Sequence, residues 1–132
     1  MRKNYMTDRE NEEQKCRTRY ALQDNRQIKD VHPEVASIAI TYTVEHRSAF
    51  GIARDERTMT LLSDHTNNYE VDCLNRECTT GYFDLKSEVW DMIRSKATER
   101  IGSMRCKGSE APDHMYQSCG GTLEYTIRIS YK

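Results

Sequence analysis

From Val35 onward the chain alternates. Ile38, Ile40, Tyr42 and Val44 fall on one side, and Ala39, Thr41, Thr43 and Glu45 on the other. That period of two is the mark of a strand with one face buried. A second clean alternation closes the chain. There Leu123, Tyr125, Ile127, Ile129 and Tyr131 oppose Thr122, Glu124, Thr126, Arg128 and Ser130. Between them the period changes once: Leu85, Val89, Met92 and Ile93 are spaced i, i+4, i+7 and i+8, one face of a helix. Asp84 stands where an N-cap belongs, with Ser87 and Glu88 in the first turn. The pattern predicts a helix over about 85–96, with Trp90 at the edge of its apolar stripe.

Shorter signals fill the rest. Weak strands are expected at 49–53, 58–62 and 69–73, and another at 101–106 around Gly102. RDER at 54–57 and SDHTNN at 63–68 read as turns between them. Strands so short and closely spaced suggest an antiparallel meander. The fold class expected is α+β: a small antiparallel sheet, one main helix, and a C-terminal strand returning to the sheet. Leu85, Val89, Met92 and Ile93 should then pack on Ile38, Ile40, Tyr42 and the Leu123–Ile129 face.

Residues 1–30 are dense in charge and amide, with Tyr20, Leu22 and Ile28 as their best apolar anchors. A short amphipathic helix around 11–22 and a flexible, disordered arm are both open readings. Pro33 ends any helix, since the residue before a proline leaves the α region. The expected organisation is an N-terminal arm, 1–30, and one domain, 31–132.

Composition adds a constraint. Of 132 residues, 36% are hydrophobic and 31% charged, so the core is thin and a domain of this kind gains from a staple. Twenty Lys and Arg against 21 Asp and Glu give a net charge of −1, with no global pull toward nucleic acid or acidic membranes. No apolar run approaches the roughly 18 residues of a membrane span, and the first residues lack the apolar stretch of a secretory signal. A cytoplasmic location is the expectation. In that compartment paired cysteines are more often metal ligands than disulfides.

The chain has five cysteines. Cys16 is alone in the N-terminal segment. Cys73 and Cys78 flank four residues, and Cys106 and Cys119 flank twelve. Zinc takes four soft or borderline ligands in a tetrahedron, with Zn–S about 2.3 Å. A turn carrying two thiolates supplies one edge of it. A second turn, brought back by the helix and a strand, supplies the other. Gly120 and Gly121 after the last cysteine permit positive φ and let N–H groups approach sulfur. Arg76, Arg105 and Lys107 flank the ligands and could offset the charge of four thiolates. Two other readings stand beside a structural zinc at Cys73, Cys78, Cys106 and Cys119: ordinary buried thiols, and two disulfides. His114 is a candidate replacement for one cysteine.

The stretch C-LNRE-C, the helix after it, and R-C-K-G…S-C-G-G followed by a strand resemble zinc-ribbon and treble-clef zinc-finger domains over residues 69–131. CLNRECTTGYFDL is also similar to half of the zinc finger of phage late-gene transcription activators. The resemblance implies a structural Zn2+ and a role in macromolecular binding, including a DNA- or RNA-binding regulatory protein of phage or mobile-element type. Arg94, Lys96, Arg100, Arg105 and Lys107 are the candidate nucleic-acid contacts, with Trp90 or Tyr82 available to stack on bases. Protein and nucleic-acid partners both remain open at this point.

Enzyme motifs are missing. Four thiolates would close the metal shell, whereas a catalytic zinc keeps a position for water. No H-E-x-x-H, deaminase pattern, phosphate loop or C-x-x-C occurs. The expectation is a non-enzymatic, zinc-stabilised binding module, with a metalloenzyme as the alternative.

Overall fold

The computed structural model describes residues 24–48, 51–75, 78, 81–106 and 120–132. The chain forms α1 (Ile28–Val31), β1 (Val35–Ser48), β2 (Gly51–Leu62), β3 (Glu70–Asp72), β4 (Tyr82–Asp84), α2 (Lys86–Arg94), β5 (Glu99–Arg105) and β6 (Gly121–Tyr131). Four strands make an antiparallel sheet in the order β2-β1-β6-β5, and β3 and β4 make a separate two-stranded ladder. No helix among the described residues is long and apolar enough to cross a membrane.

The two alternating segments form the centre of the sheet. Ile38 stands opposite Ile129, Ile40 opposite Ile127, Tyr42 opposite Tyr125 and Val44 opposite Leu123. Each pair lies on the face that α2 covers. Val89, Met92 and Ile93 of the helix, with Leu85 just before it, join these strand residues in one buried cluster, and Tyr42 packs at its border. Full burial of each aliphatic side chain contributes roughly 1.5–3 kcal/mol, so this contact sets the fold. The other face of the sheet is open and polar. Across it Thr58, Thr41, Thr126 and Ile101 lie side by side.

The helix matches its pattern to within two residues at either end. Leu85 occupies the N-cap position without a side-chain cap. Asp84 still caps: its carboxylate accepts the Lys86 N–H at 2.9 Å. At the other end Ala97 N–H donates to the Met92 carbonyl and Lys96 N–H to that of Ile93, a Schellman closure with Lys96 at φ 60°. The Tyr131 hydroxyl donates to the Ala97 carbonyl at 2.7 Å, tying the end of β6 to this corner.

Three expectations change. The meander is replaced by two hairpins joined through β1 and β6. The turn expected at 54–57 is absent, because β2 runs unbroken through Arg54–Arg57. This segment is an edge strand, wet on its free side, so charges are tolerated there. Arg54 pairs with Glu56 at 2.7 Å and Arg57 with Asp55 at 2.9 Å. Such charges also discourage edge-to-edge association. The third change is β4, three residues that no periodicity could announce.

Residues 24–30 fall within the expected arm, and they are packed against the 63–68 turn. Ile28 is fully buried, and its N–H donates to the His65 carbonyl at 2.8 Å. Asp24 holds the junction. Its carboxylate accepts from Arg26, from Asn67 at 3.1 Å and from Lys86 at 3.2 Å. The Arg26 side-chain and backbone hydrogen bonds, with help from Asn67 and Lys86, hold its pKa well below the carboxylate range. The Tyr69 hydroxyl donates to Asn67 Oδ1 at 2.7 Å. Burial, and then the Asp24 charge, push the Tyr69 pKa far up. The expected helix around 11–22, and Cys16 with it, lie outside the described residues.

Candidate metal centre

The β3–β4 ladder is extended at its far end, where the Cys73 N–H donates to the Gly81 carbonyl at 3.0 Å. The connection between them is tight. The Cys78 N–H donates to the Asn75 carbonyl at 3.2 Å, and the Gly81 N–H donates to Cys78 Sγ at 3.2 Å. Gly81 has φ 78°, a left-handed conformation in which a side chain would be strained. Its N–H thus turns toward the sulfur, as suits a thiolate that needs donors.

Cys106 directly follows β5, and its N–H donates to the Gly121 carbonyl at 2.9 Å. This bond carries the pairing with β6 one step beyond the end of β5. It brings the third sulfur to the first two. The Sγ atoms of Cys73, Cys78 and Cys106 all lie within 4.8 Å of one another. Cys78 and Cys106 are buried and Cys73 is half-buried. The Cys78–Cys106 separation is 3.3 Å, far beyond a disulfide bond of about 2.05 Å. Tetrahedral thiolates with Zn–S near 2.3 Å stand about 3.8 Å apart. The triad matches that scale.

Three of the four cysteines expected as ligands are therefore together. Cys119, Arg76, Lys107 and His114 lie outside the described residues. Gly120, next to Cys119, has φ 75°, the positive value expected of a glycine after a ligand. Among the described residues the cluster contains no histidine or carboxylate. Sequence reading missed Gly81 and Asn75. The first was visible as a glycine three positions after Cys78. The second had no signal, because it acts through its carbonyl.

The candidate nucleic-acid contacts are spread out. Arg94 and Lys96 are exposed at the end of α2, and Lys96 Nζ lies 5.7 Å from the Tyr131 ring centroid. Arg100 is ion-paired to Asp91 at 2.9 Å. It points to the helix side of β5, and Arg105, five positions on, to the opposite side. Tyr82 is buried. Trp90 packs edge-on against His32, with centroids 5.2 Å apart, and Lys86 covers it at 5.3 Å. An open cleft of about 700 Å³ on the outer sheet face is lined by Arg47, Arg54 and Arg105 together with Glu45 and Glu124. Its charges are mixed, and none of the three clustered cysteines lines it.

The fold and this cluster define a mostly β chain with antiparallel sheets and a cysteine triad able to hold a metal ion. Compared with protein-family models, with curated proteins and with solved structures, the chain matches none.

Proposed function

We propose that this chain is a zinc-stabilised interaction module in which Cys73, Cys78, Cys106 and Cys119 hold one structural Zn2+. The observation that carries the reading is the meeting of three sulfurs from the connections of two hairpins, β3–β4 and β5–β6. Two hairpin ends that each offer a pair of thiolates are the arrangement of a zinc ribbon, which supports that class. Sulfur donors favour zinc over hard cations such as Mg2+ or Ca2+. A four-thiolate shell leaves no open position, so the metal acts by joining the small ladder to the main sheet. In zinc-finger peptides such a site contributes about 10–16 kcal/mol of apparent binding free energy. A reducing, cytoplasmic compartment suits it.

The charge arrangement favours a protein partner over nucleic acid. Arg47, Arg54, Arg57, Arg100 and Arg128 each sit within 3 Å of an acidic oxygen, which leaves few of their charges for phosphates. Elemental analysis of protein purified without chelator tests the metal reading. One zinc per chain supports it; metal-free, folded protein refutes it. Gel mobility with DNA and RNA at low salt tests the partner, and a shift that fades steeply with salt would reverse the preference.

A further inference from the structure

The three sulfurs differ in access, and two of them touch. Cys73 is half-buried, Cys78 has no exposure and Cys106 has 7%. Cys78 Sγ and Cys106 Sγ are 3.3 Å apart. Cys78 and Cys106 come from different hairpins, and Cys73 lies beside both. Of these three sulfurs, Cys73 is the one an oxidant arriving from solvent meets first. The buried pair needs to close by only about 1.3 Å to reach a disulfide bond of about 2.05 Å.

From these positions we infer that the centre is a redox-responsive metal site: a peroxide oxidises it through Cys73, Zn2+ leaves, and a Cys78–Cys106 disulfide takes over the link between the hairpins. The inference rests on the triad being a metal centre. The Cys73 thiolate attacks one peroxide oxygen, and the O–O bond breaks. Cys73 becomes a sulfenic acid, and the leaving oxygen takes a proton. The Cys78 thiolate attacks the Cys73 sulfur; hydroxide departs and is protonated to water. Cys106, in contact with Cys78, then displaces the Cys73 thiolate by exchange. Two thiolates have lost two electrons, one peroxide has gained them, and the zinc keeps its charge. Of the four proposed thiolates Cys73 and Cys119 remain, half the shell and too few to hold the ion tightly.

The redox change leaves the fold cross-linked rather than released. A metal centre that only breaks would free the β3–β4 ladder. This one exchanges a coordination link for a covalent link between the same two connections, and a reductant restores the thiolates.

The test uses the full-length, zinc-loaded wild-type chain and hydrogen peroxide. Zinc release is followed with a colorimetric chelator, and the disulfide is mapped by alkylation, proteolysis and mass spectrometry. The expected result is stoichiometric zinc loss in step with a Cys78–Cys106 link, Cys73 recovered as an alkylatable thiol, and zinc uptake restored by dithiothreitol. Limited iodoacetamide on the loaded protein should label Cys73 ahead of Cys78 and Cys106. A final, stable product that links Cys78 or Cys106 to any other cysteine, irreversible sulfinic acid at Cys73, or zinc retained under peroxide would overturn the inference while leaving the metal reading intact. Protein that carries no zinc at the outset would remove both.

Discussion

Cys78 and Cys106 bring their Sγ atoms to 3.3 Å across a separation of 28 residues. Each sulfur is placed by a backbone hydrogen bond of its own cysteine, to the Asn75 and Gly121 carbonyls respectively. The contact joins the small ladder to the end of the main sheet, and both cysteines belong to the buried cluster that also holds Val71 and Phe83 of the ladder. A metal held by the triad would add a second link to a junction that apolar packing already makes.

Replacing Cys106 with Ser removes one buried sulfur from the triad and changes one small side chain of the core. Even changes around metal ligands cost about 10–100-fold in affinity, so loss of a ligand should exceed about 100-fold. Competition with a chromophoric chelator measures it. Zinc affinity equal to that of the wild type would take Cys106 out of the centre.

Gly102 pairs with Tyr125 between β5 and β6. A Cβ at this position would stand 2.5 Å from the Tyr125 hydroxyl oxygen and 2.7 Å from Cζ, so the ring lies across bare backbone. Tyr125 is almost fully buried and has little room to move. Gly102→Val is expected to destabilise by about 1–3 kcal/mol, the usual cost of overpacking. Urea unfolding measures this, and an unchanged midpoint would show that the ring is free to swing away.

Much of the architecture could be read from the order of residues, and the reason is burial on one side. Strands β1 and β6 and helix α2 each have one wet and one dry face, so period and pattern coincide. RDER failed as a turn because an edge strand has no such constraint, and no Gly, Pro or Asn is present there to force a bend. The anchoring of 24–30 was hidden for another reason. It depends on Asp24, Asn67 and Asn68 meeting across more than forty residues, and single polar residues carry no period. The cysteine spacing pointed to the three sulfurs that cluster, Cys73, Cys78 and Cys106, because sulfur pairs in polar turns are the usual mark of a metal site. The exposure difference between Cys73 and its partners could not be seen without the fold.

Acid should weaken the fold through His32. Burial first, then the Arg26 and Lys86 charges, lower its pKa against a raising effect of Glu34. Its Nε2 is buried with no hydrogen-bond partner among the described residues. The folded state thus prefers the neutral ring, while the unfolded chain protonates near the ordinary value of 6.5. Stability is highest above that value and falls as pH drops through it toward the lower folded-state pKa. Asp24 acts in a separate window, since its contribution is lost only as pH falls below the ordinary carboxylate value of 3.8. Thermal melts between pH 7.5 and 5 should show a decline that His32→Phe flattens, with the difference between the two proteins removing any shared effect of acid on the thiolates. Parallel curves would assign the pH response elsewhere.

X-ray absorption at the zinc edge of the chain as purified tests the centre most directly. A shell of sulfur atoms at about 2.3 Å, with no open water position, is the result the proposed centre predicts. A shell of oxygen and nitrogen alone, or no zinc edge in folded protein, would contradict it.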